Sequence, residues 1–282
     1  MLQMLNVAHR WKTFVAAAAV ASFAVAANAA QPAFEPRVGQ AGKDVIWVPT
    51  PNSLVDRMLR MANVGPNDVV YDLGSGDGRI AIAAARDYNV SATGIEFNPD
   101  MVALSNRNAA EAGVANRAKF IQGDIFTTDF SNATVVTMYL LPSLNLRLRP
   151  TLLNMKPGTR IVSHAFDMDD WQPDDTANVE GQNAYFWIVP AQVGGTWQVK
   201  LGAETIELKL AQEFQNFRGS AGPQGSPVQG TLRGADIRIT IPDGRGGRRE
   251  LVGTVNGEQM SGTAGGVAFT ATRTALPPPP IP

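Results

Sequence analysis

Cysteine is absent from this sequence, and histidine occurs only at His9 and His164. The first absence excludes disulfides, thiolate nucleophiles, iron–sulfur clusters and cysteine-based zinc sites. The second excludes a multi-histidine metal centre within one chain. A cysteine-free chain suits any redox compartment and selects none. An excess of either charge is also missing: 24 Lys and Arg stand against 25 Asp and Glu, a formal net charge of −1. Such a chain makes no global electrostatic case for nucleic acid and leaves only a local patch open. Hydrophobic residues still make up 44% of the 282, which is enough to bury a core and excludes a wholly disordered chain. At ~150 residues per domain, this length suggests about two domains.

Long apolar runs are missing except near the start. His9, Arg10 and Lys12 precede the uncharged stretch Thr13 to Ala27, and Ala27-Asn28-Ala29 gives a small-x-small cleavage pattern. This is the layout of a secretory signal, too short for a comfortable span of ~20 residues. Residues 1–29 are therefore expected to direct export to the periplasm or, alternatively, to remain as an inner-membrane anchor. Either way they stand outside the fold, with residues 30–43 as a linker.

Two periodicities follow. Residues 44–190 alternate short apolar runs with amphipathic stretches. Thr50-Pro51 reads as a helix cap and first turn, followed by Leu54, Val55, Met58, Leu59 and Ala62 on one face. Strands are expected at Asp68–Leu73, Ala92–Glu96, Lys119–Gln122, Thr134–Leu140 and Arg160–Ala165. Helices are expected at Arg79–Tyr88, from Asn98-Pro99 to Gly113, and at Pro142–Met155. Alternation of this kind predicts a parallel sheet covered on both faces. A hairpin of Thr176–Glu180 and Asn183–Val189 around Gly181-Gln182 closes it. From Gly194 the period becomes two: Trp197, Val199, Leu201; Ile206, Leu208, Leu210; Ile237, Ile239, Ile241; Val267, Phe269, Ala271. Turn pairs such as Gly202-Ala203, Gly234-Ala235, Asp243-Gly244 and Asn256-Gly257 separate these runs. Residues 194–275 are read as roughly seven antiparallel strands in a small meander or barrel, and 276–282 as a proline-rich tail.

The chemistry sits where the first strand enters its helix. Asp72-Leu73-Gly74-Ser75-Gly76-Asp77-Gly78 supplies glycines that permit positive φ and close approach of a ligand. Glu96 ends the second strand, where a carboxylate meets ribose hydroxyls. The spacing is G-x-G-x-G rather than the dinucleotide G-x-G-x-x-G, and no G-K-[ST] follows. Asp72 and Asp77 would repel a pyrophosphate, at a cost on the order of 1–4 kcal/mol per contact. The same acids favour S-adenosylmethionine, which carries a sulfonium and an ammonium and no phosphate.

The segments DLGSGDGR, GIEFNP, QGDIF and YLLPSLN resemble class I S-adenosylmethionine-dependent methyltransferases. Val48-Pro49-Thr50-Pro51, Ile161-Val162-Ser163-His164 and Trp171-Gln172-Pro173 narrow the resemblance to the protein-lysine group that includes the ATP synthase c-subunit enzymes. It spans about residues 44–190. It implies a Rossmann-like sheet, mostly parallel with an antiparallel last strand, and in-line methyl transfer, with a protein lysine amine as one acceptor. By the same resemblance Gly74, Ser75, Gly76 and Gly78 line the methionine moiety and Asp72 orients its ammonium. Glu96 holds the ribose, Asp124 and Ile125 bracket the adenine, and Phe97 packs on it. Tyr139, Leu141 and Pro142 leave strand four, where methyl and acceptor meet.

Some residues carry two readings. His164 is a general base or a packed histidine, and Tyr139 lines the site or packs a strand end. Asp77 is cofactor-adjacent or a plain turn acid. Thr50 and Pro51 shape the acceptor entrance or simply cap a helix. Asp167, Asp169 and Asp170 form a solvated acidic loop rather than a metal site. Arg245, Arg248 and Arg249 form a solvated turn rather than a phosphate patch. The rival function is a non-catalytic envelope protein whose β domain binds a ligand or partner.

Overall fold

Proline and glycine punctuate the chain into short elements, and a computed structural model describes residues 34–243 and 246–277. The signal or anchor segment, Gly244-Arg245 and most of the tail lie outside the described residues. Within them the first elements are α1 (Asn52–Met61), β1 (Val69–Leu73), α2 (Arg79–Asp87), β2 (Ser91–Glu96) and α3 (Pro99–Glu111). There follow β3 (Ala118–Gln122), β4 (Val135–Met138), α4 (Pro142–Leu153), β5 (Arg160–His164), β6 (Asp175–Val179) and β7 (Gln182–Ile188). The strands make a seven-stranded sheet in the order β3-β2-β1-β4-β5-β7-β6. All neighbours through β5 pair in parallel, and β7 alone runs against the rest.

Both faces are covered, as the near-continuous apolar runs of the strands require. One face packs on Leu54, Val55, Met58 and Leu59 of α1 and on the buried alanines of α2. The other packs on Leu148 and Leu152 of α4, with Trp171 and Trp187. Asn98 starts α3 by accepting the Asp100 N–H at 2.8 Å, the N-cap contact that satisfies a first-turn donor. Thr50 does not cap α1 as expected. Pro51 holds that position with no side-chain cap, and the Thr50 hydroxyl is used elsewhere. The closing hairpin turns at Glu180-Gly181, one residue earlier than expected, where both residues adopt positive φ.

The second half is β8 (Gly195–Leu201), β9 (Glu204–Glu213), β10 (Asn216–Ala221), β11 (Ser226–Arg233), β12 (Asp236–Pro242), β13 (Arg248–Asn256), β14 (Gln259–Ala264) and β15 (Val267–Ala275). These eight strands form a closed antiparallel barrel, with β15 paired to β8 and β9 to β10. The count is one more than the alternation suggested, and a closed ring leaves no unpaired edge. Its interior is filled by Trp197, Val199, Leu208, Ile239, Leu251 and Phe269, among others. Val267, expected inside, is half exposed beside the Gly265-Gly266 turn. Phe214 at the β9–β10 turn joins the two halves: its ring stacks on Trp171 at 6.0 Å and packs against the α4-side core.

Candidate functional site

A parallel sheet presents its loops at the carboxyl ends of its strands, and strands on either side of β1 leave in opposite directions there. A cleft of about 290 Å³ lies at that position. Its walls include Asp72, Gly74, Ser75, Gly76, Glu96 and Phe97. Asp124, Ile125 and Tyr139 line it as well. Gly78 does not. At φ +82° it begins α2, and a Cβ there would strike the Phe120 ring at 2.6 Å. Pro142 and His164 also lie off the lining, the first exposed at the start of α4 and the second buried.

The turn spends its own N–H groups. Gly74 and Ser75 donate to the Ile95 carbonyl at 2.9 and 3.1 Å, and Gly78 donates to Ser75 at 2.9 Å. Gly76 donates to Glu96 Oε2 at 3.0 Å, and Glu96 Oε1 accepts from the Asn98 N–H at 2.9 Å. The Arg79 N–H, at the start of α2, is turned to Asp77 Oδ1 at 3.3 Å. A phosphate-binding loop would present such donors to its ligand. Here backbone carbonyls and the carboxylates of Glu96 and Asp77 already accept them, so the turn offers a ligand negative charge rather than free donors.

Asp72 concentrates that charge. Its carboxylate is 2% exposed and accepts from the Thr137 hydroxyl at 2.8 Å. Burial pushes its pKa up to about 7; the Thr137 bond opposes this, and Asp77 and Glu96 add to it. A group that costs this much to ionise is stabilised by an arriving cation. A sulfonium nucleoside with an α-ammonium fits that set of acceptors, and a pyrophosphate does not.

Asp77 is held by a two-pronged contact from Arg79, with Nη2 to Oδ2 at 2.6 Å and Nε to Oδ1 at 3.0 Å. Arg79 Nη1 also reaches the Thr50 carbonyl at 2.9 Å. Asp124 accepts from the Phe126 N–H at 3.0 Å and from Lys43 Nζ at 2.7 Å, and the Lys43 ammonium beside it lowers its pKa. Lys43 Nζ also sits 4.5 Å from the centre of the Phe97 ring.

At the β4 end the walls are Tyr139, Leu140, Leu141, Leu144 and Phe166, with Thr50. Tyr139 packs on His164 with ring centres 3.7 Å apart and planes tilted by 33°, and stacks on Phe166 at 6.5 Å. His164 Nε2 meets Gln182 Oε1 at 3.1 Å, and Nδ1 meets Thr50 Oγ1 at 3.0 Å. Gln182 presents an oxygen, so Nε2 carries the proton and Nδ1 accepts from the hydroxyl. Burial lowers the pKa of His164 and keeps the ring neutral near pH 7. Its surroundings are those of a packed, positioning histidine. Asn145 of α4 fixes the next loop by donating to the Phe166 and Asp167 carbonyls at 3.2 and 3.1 Å. Of the acidic loop, Asp167 and Asp169 are exposed and Asp170 pairs with Arg149. Sequence reasoning missed Lys43, Trp47 and Phe166, which belong to no periodic element.

Residues 72–175 match the family described as the ANTKMT methyltransferase domain. A protein-lysine N-methyltransferase from Saccharolobus islandicus (strain REY15A) is 48% identical over 141 residues, 49% of this chain and 88% of that enzyme. The lysine N-methyltransferase of the ATP synthase c-subunit from Mus musculus is 33% identical over 149 residues, 52% of this chain. The chain spans 60% of the mouse protein, less than two thirds of its length. A solved RNA methyltransferase from Salinibacter ruber, in complex with S-adenosyl-L-homocysteine, is similar with a TM-score of 0.51 and 54% identity, covering 52% of this chain and 96% of that one. A cleft suited to a cationic nucleoside and the sequence relatives agree: the chain belongs to the protein-lysine N-methyltransferase family of S-adenosylmethionine-dependent methyltransferases, with an eight-stranded barrel added.

Proposed function

We propose that this methyltransferase modifies a lysine amine of a protein. S-adenosylmethionine supplies an activated methyl group on a sulfonium when bound. Asp72 holds its ammonium, and Glu96 the ribose. Asp124 accepts from the adenine amine, while Phe97 and Ile125 pack on the ring.

The observation that carries the acceptor is the β4 end of the cleft, where Tyr139, Leu141, Leu144 and Phe166 present aromatic and apolar surface and no carboxylate. An amine entering dry, weakly polar surroundings is favoured in its neutral, nucleophilic form. Positioning then does most of the work, because an in-line displacement needs nucleophile, methyl and leaving group near collinear. Tyr139 is the wall against which the amine is aligned. His164, clamped by Thr50 and Gln182, holds that ring in place. Pro142 starts α4 and sets where Leu141 and Leu144 stand. The names of the Saccharolobus and mouse relatives support a protein lysine. The name of the Salinibacter relative favours RNA, but a net charge of −1 gives little purchase on a phosphate backbone. Nothing found supports the non-catalytic envelope reading.

Incubating wild type and Gly76→Arg with cell extract and methyl-labelled cofactor tests the proposal. Label appearing as methyl-lysine in protein, and lost in the variant, is the expected result; label in RNA or lipid overturns it. Export to the periplasm, or anchoring in the inner membrane, stays part of the proposal for residues 1–29. Sequencing the N-terminus of the mature protein separates these two fates.

A further inference from the structure

Residues 37–49 reach the cleft before the first helix begins. They fold back on themselves without a side-chain core. Gly39 donates to the Trp47 carbonyl at 2.9 Å, Trp47 to Gln40 at 2.8 Å, and Gly42 to Val45 at 2.8 Å. An isolated bridge joins Ala41 to Ile46. The resulting strap touches the sheet half at both ends of the cofactor cleft. At one end the Trp47 indole lies so close to Gly76 that a Cβ there would sit 2.8 Å from Nε1. At the other, Lys43 bonds Asp124 and covers Phe97.

We propose that this strap is a wall of the cofactor site, with Trp47 and Lys43 as cofactor-binding residues; the proposal rests on the placement of S-adenosylmethionine argued above. The methionyl group carries a carboxylate as well as an ammonium. Asp72 serves the ammonium, and the negative charge it shares with Glu96 repels the carboxylate. Among the described residues the cations lining the cleft are Lys43 and Arg79. Arg79 is committed to Asp77 and the Thr50 carbonyl, and Lys43 stands at Asp124. Trp47 Nε1–H lies against the glycine turn and has no hydrogen-bond acceptor among the described residues. It is the donor that suits the carboxylate, and its ring shields the methionyl end from water.

Lys43 acts at the adenine end. One oxygen of Asp124 is taken by the Phe126 N–H, and the other accepts Lys43. An adenine amine must share or take over that second oxygen. The Lys43–Asp124 pair is 37% and 27% exposed. Such a pair is weak and screened by salt, so it opens readily. Lys43 is thus a latch that the cofactor displaces on entry and that closes the strap afterwards.

Calorimetry and stopped-flow measurement with S-adenosyl-L-homocysteine test both roles. Trp47→Ala should weaken binding by about tenfold or more, with Trp47→Phe between it and wild type, because the ring remains and the donor is lost. Lys43→Ala should speed dissociation several-fold, and wild type should approach it at high salt. Hydrogen exchange of the Gly39, Gly42 and Trp47 amides should slow when the ligand is added. Thermal unfolding of the ligand-free variants should match wild type, since Trp47 is only half-buried. Binding by Trp47→Ala within about twofold of wild type, or strap amides indifferent to ligand, overturns the proposal. Failure of the wild-type protein to bind overturns instead the placement of the cofactor itself.

Discussion

The two halves of this protein bury their interiors in opposite ways. Among the described residues every buried polar side chain, from Thr50 and Asp72 to Asn145 and His164, belongs to the sheet half. The barrel interior is aliphatic and aromatic throughout. Buried polar groups are costly unless paired, so a fold keeps them where they do something else. In the sheet half they set a charge, fix a tautomer and hold a loop. In the barrel, polar ties such as that of Gln212, which joins Ala191 and Val193 to the β9–β10 turn, are only partly buried, and the strands are otherwise spent on packing. The difference assigns the chemistry to one half and leaves the other as a packed barrel joined to it by contacts that include Phe214 on Trp171 and Gln215 on the Gln172 carbonyl.

The widest contrast comes from filling the cleft. Gly76→Arg places a side chain at φ +55° into the space beside Trp47, and calorimetry should show S-adenosyl-L-homocysteine binding weakened by about a hundredfold or more. Retained binding would mean that the cleft is not the site. On the barrel side, Trp197→Ala removes a fully buried ring whose Nε1–H bonds the Val193 carbonyl at 2.8 Å. Urea unfolding should report a loss of about 3–5 kcal/mol, with ligand affinity of the folded protein little changed. A parallel fall in affinity would break the separation between the halves.

Asp72 gives a smaller effect with a definite sign. Its folded carboxyl keeps its proton up to about pH 7, against an ordinary value of 3.8. An arriving ammonium favours the ionised form, so affinity should fall as pH drops below about 7, by at most about tenfold per unit, and Asp72→Asn should flatten the profile. Stability runs the other way. The unfolded carboxyl ionises first, so the ligand-free fold loses stability as pH rises from about 4 to 7. The Asn variant should therefore melt higher than wild type at pH 8 and alongside it at pH 4. Smallest is the joint: Phe214→Ala should cost about 1–3 kcal/mol and speed hydrogen exchange in residues 166–171. Unchanged exchange there would mean that the barrel leaves the acceptor-side loop alone.

The sheet and the cofactor turn were legible in sequence because their signals are local. An apolar run, a glycine bend and an alanine helix sit within some twenty residues, and Glu96 closes the next strand. The acceptor end was half legible. Tyr139 follows its strand directly, whereas the partner of His164 is Thr50, separated by 114 positions. No spacing rule links them, and the Thr50 hydroxyl, read as a cap, turns to the histidine instead. The strap splits in sequence, residues 37–43 reading as linker and 44–49 as the start of the domain, because neither period marks it as an element. The extra barrel strand was hidden by glycines in β10, β11, β13 and β14. A Cβ at Gly230 would meet the Phe217 ring at 2.1 Å, and one at Gly253 would meet the Ser261 carbonyl at 2.1 Å. Glycine there makes room for a neighbour, at the expense of the alternation that announces a strand.

The seam between β8 and β15 bears on how this protein is made. Synthesis runs from N to C, and the sheet half has all of its strands out of the ribosome before β8 appears. The ring has no such head start: its first strand must wait, with one side open, until the last one emerges. A ribosome that stalls within β15 therefore releases a finished methyltransferase half attached to a sheet with two sticky flanks, the kind of product that proteases are suited to remove.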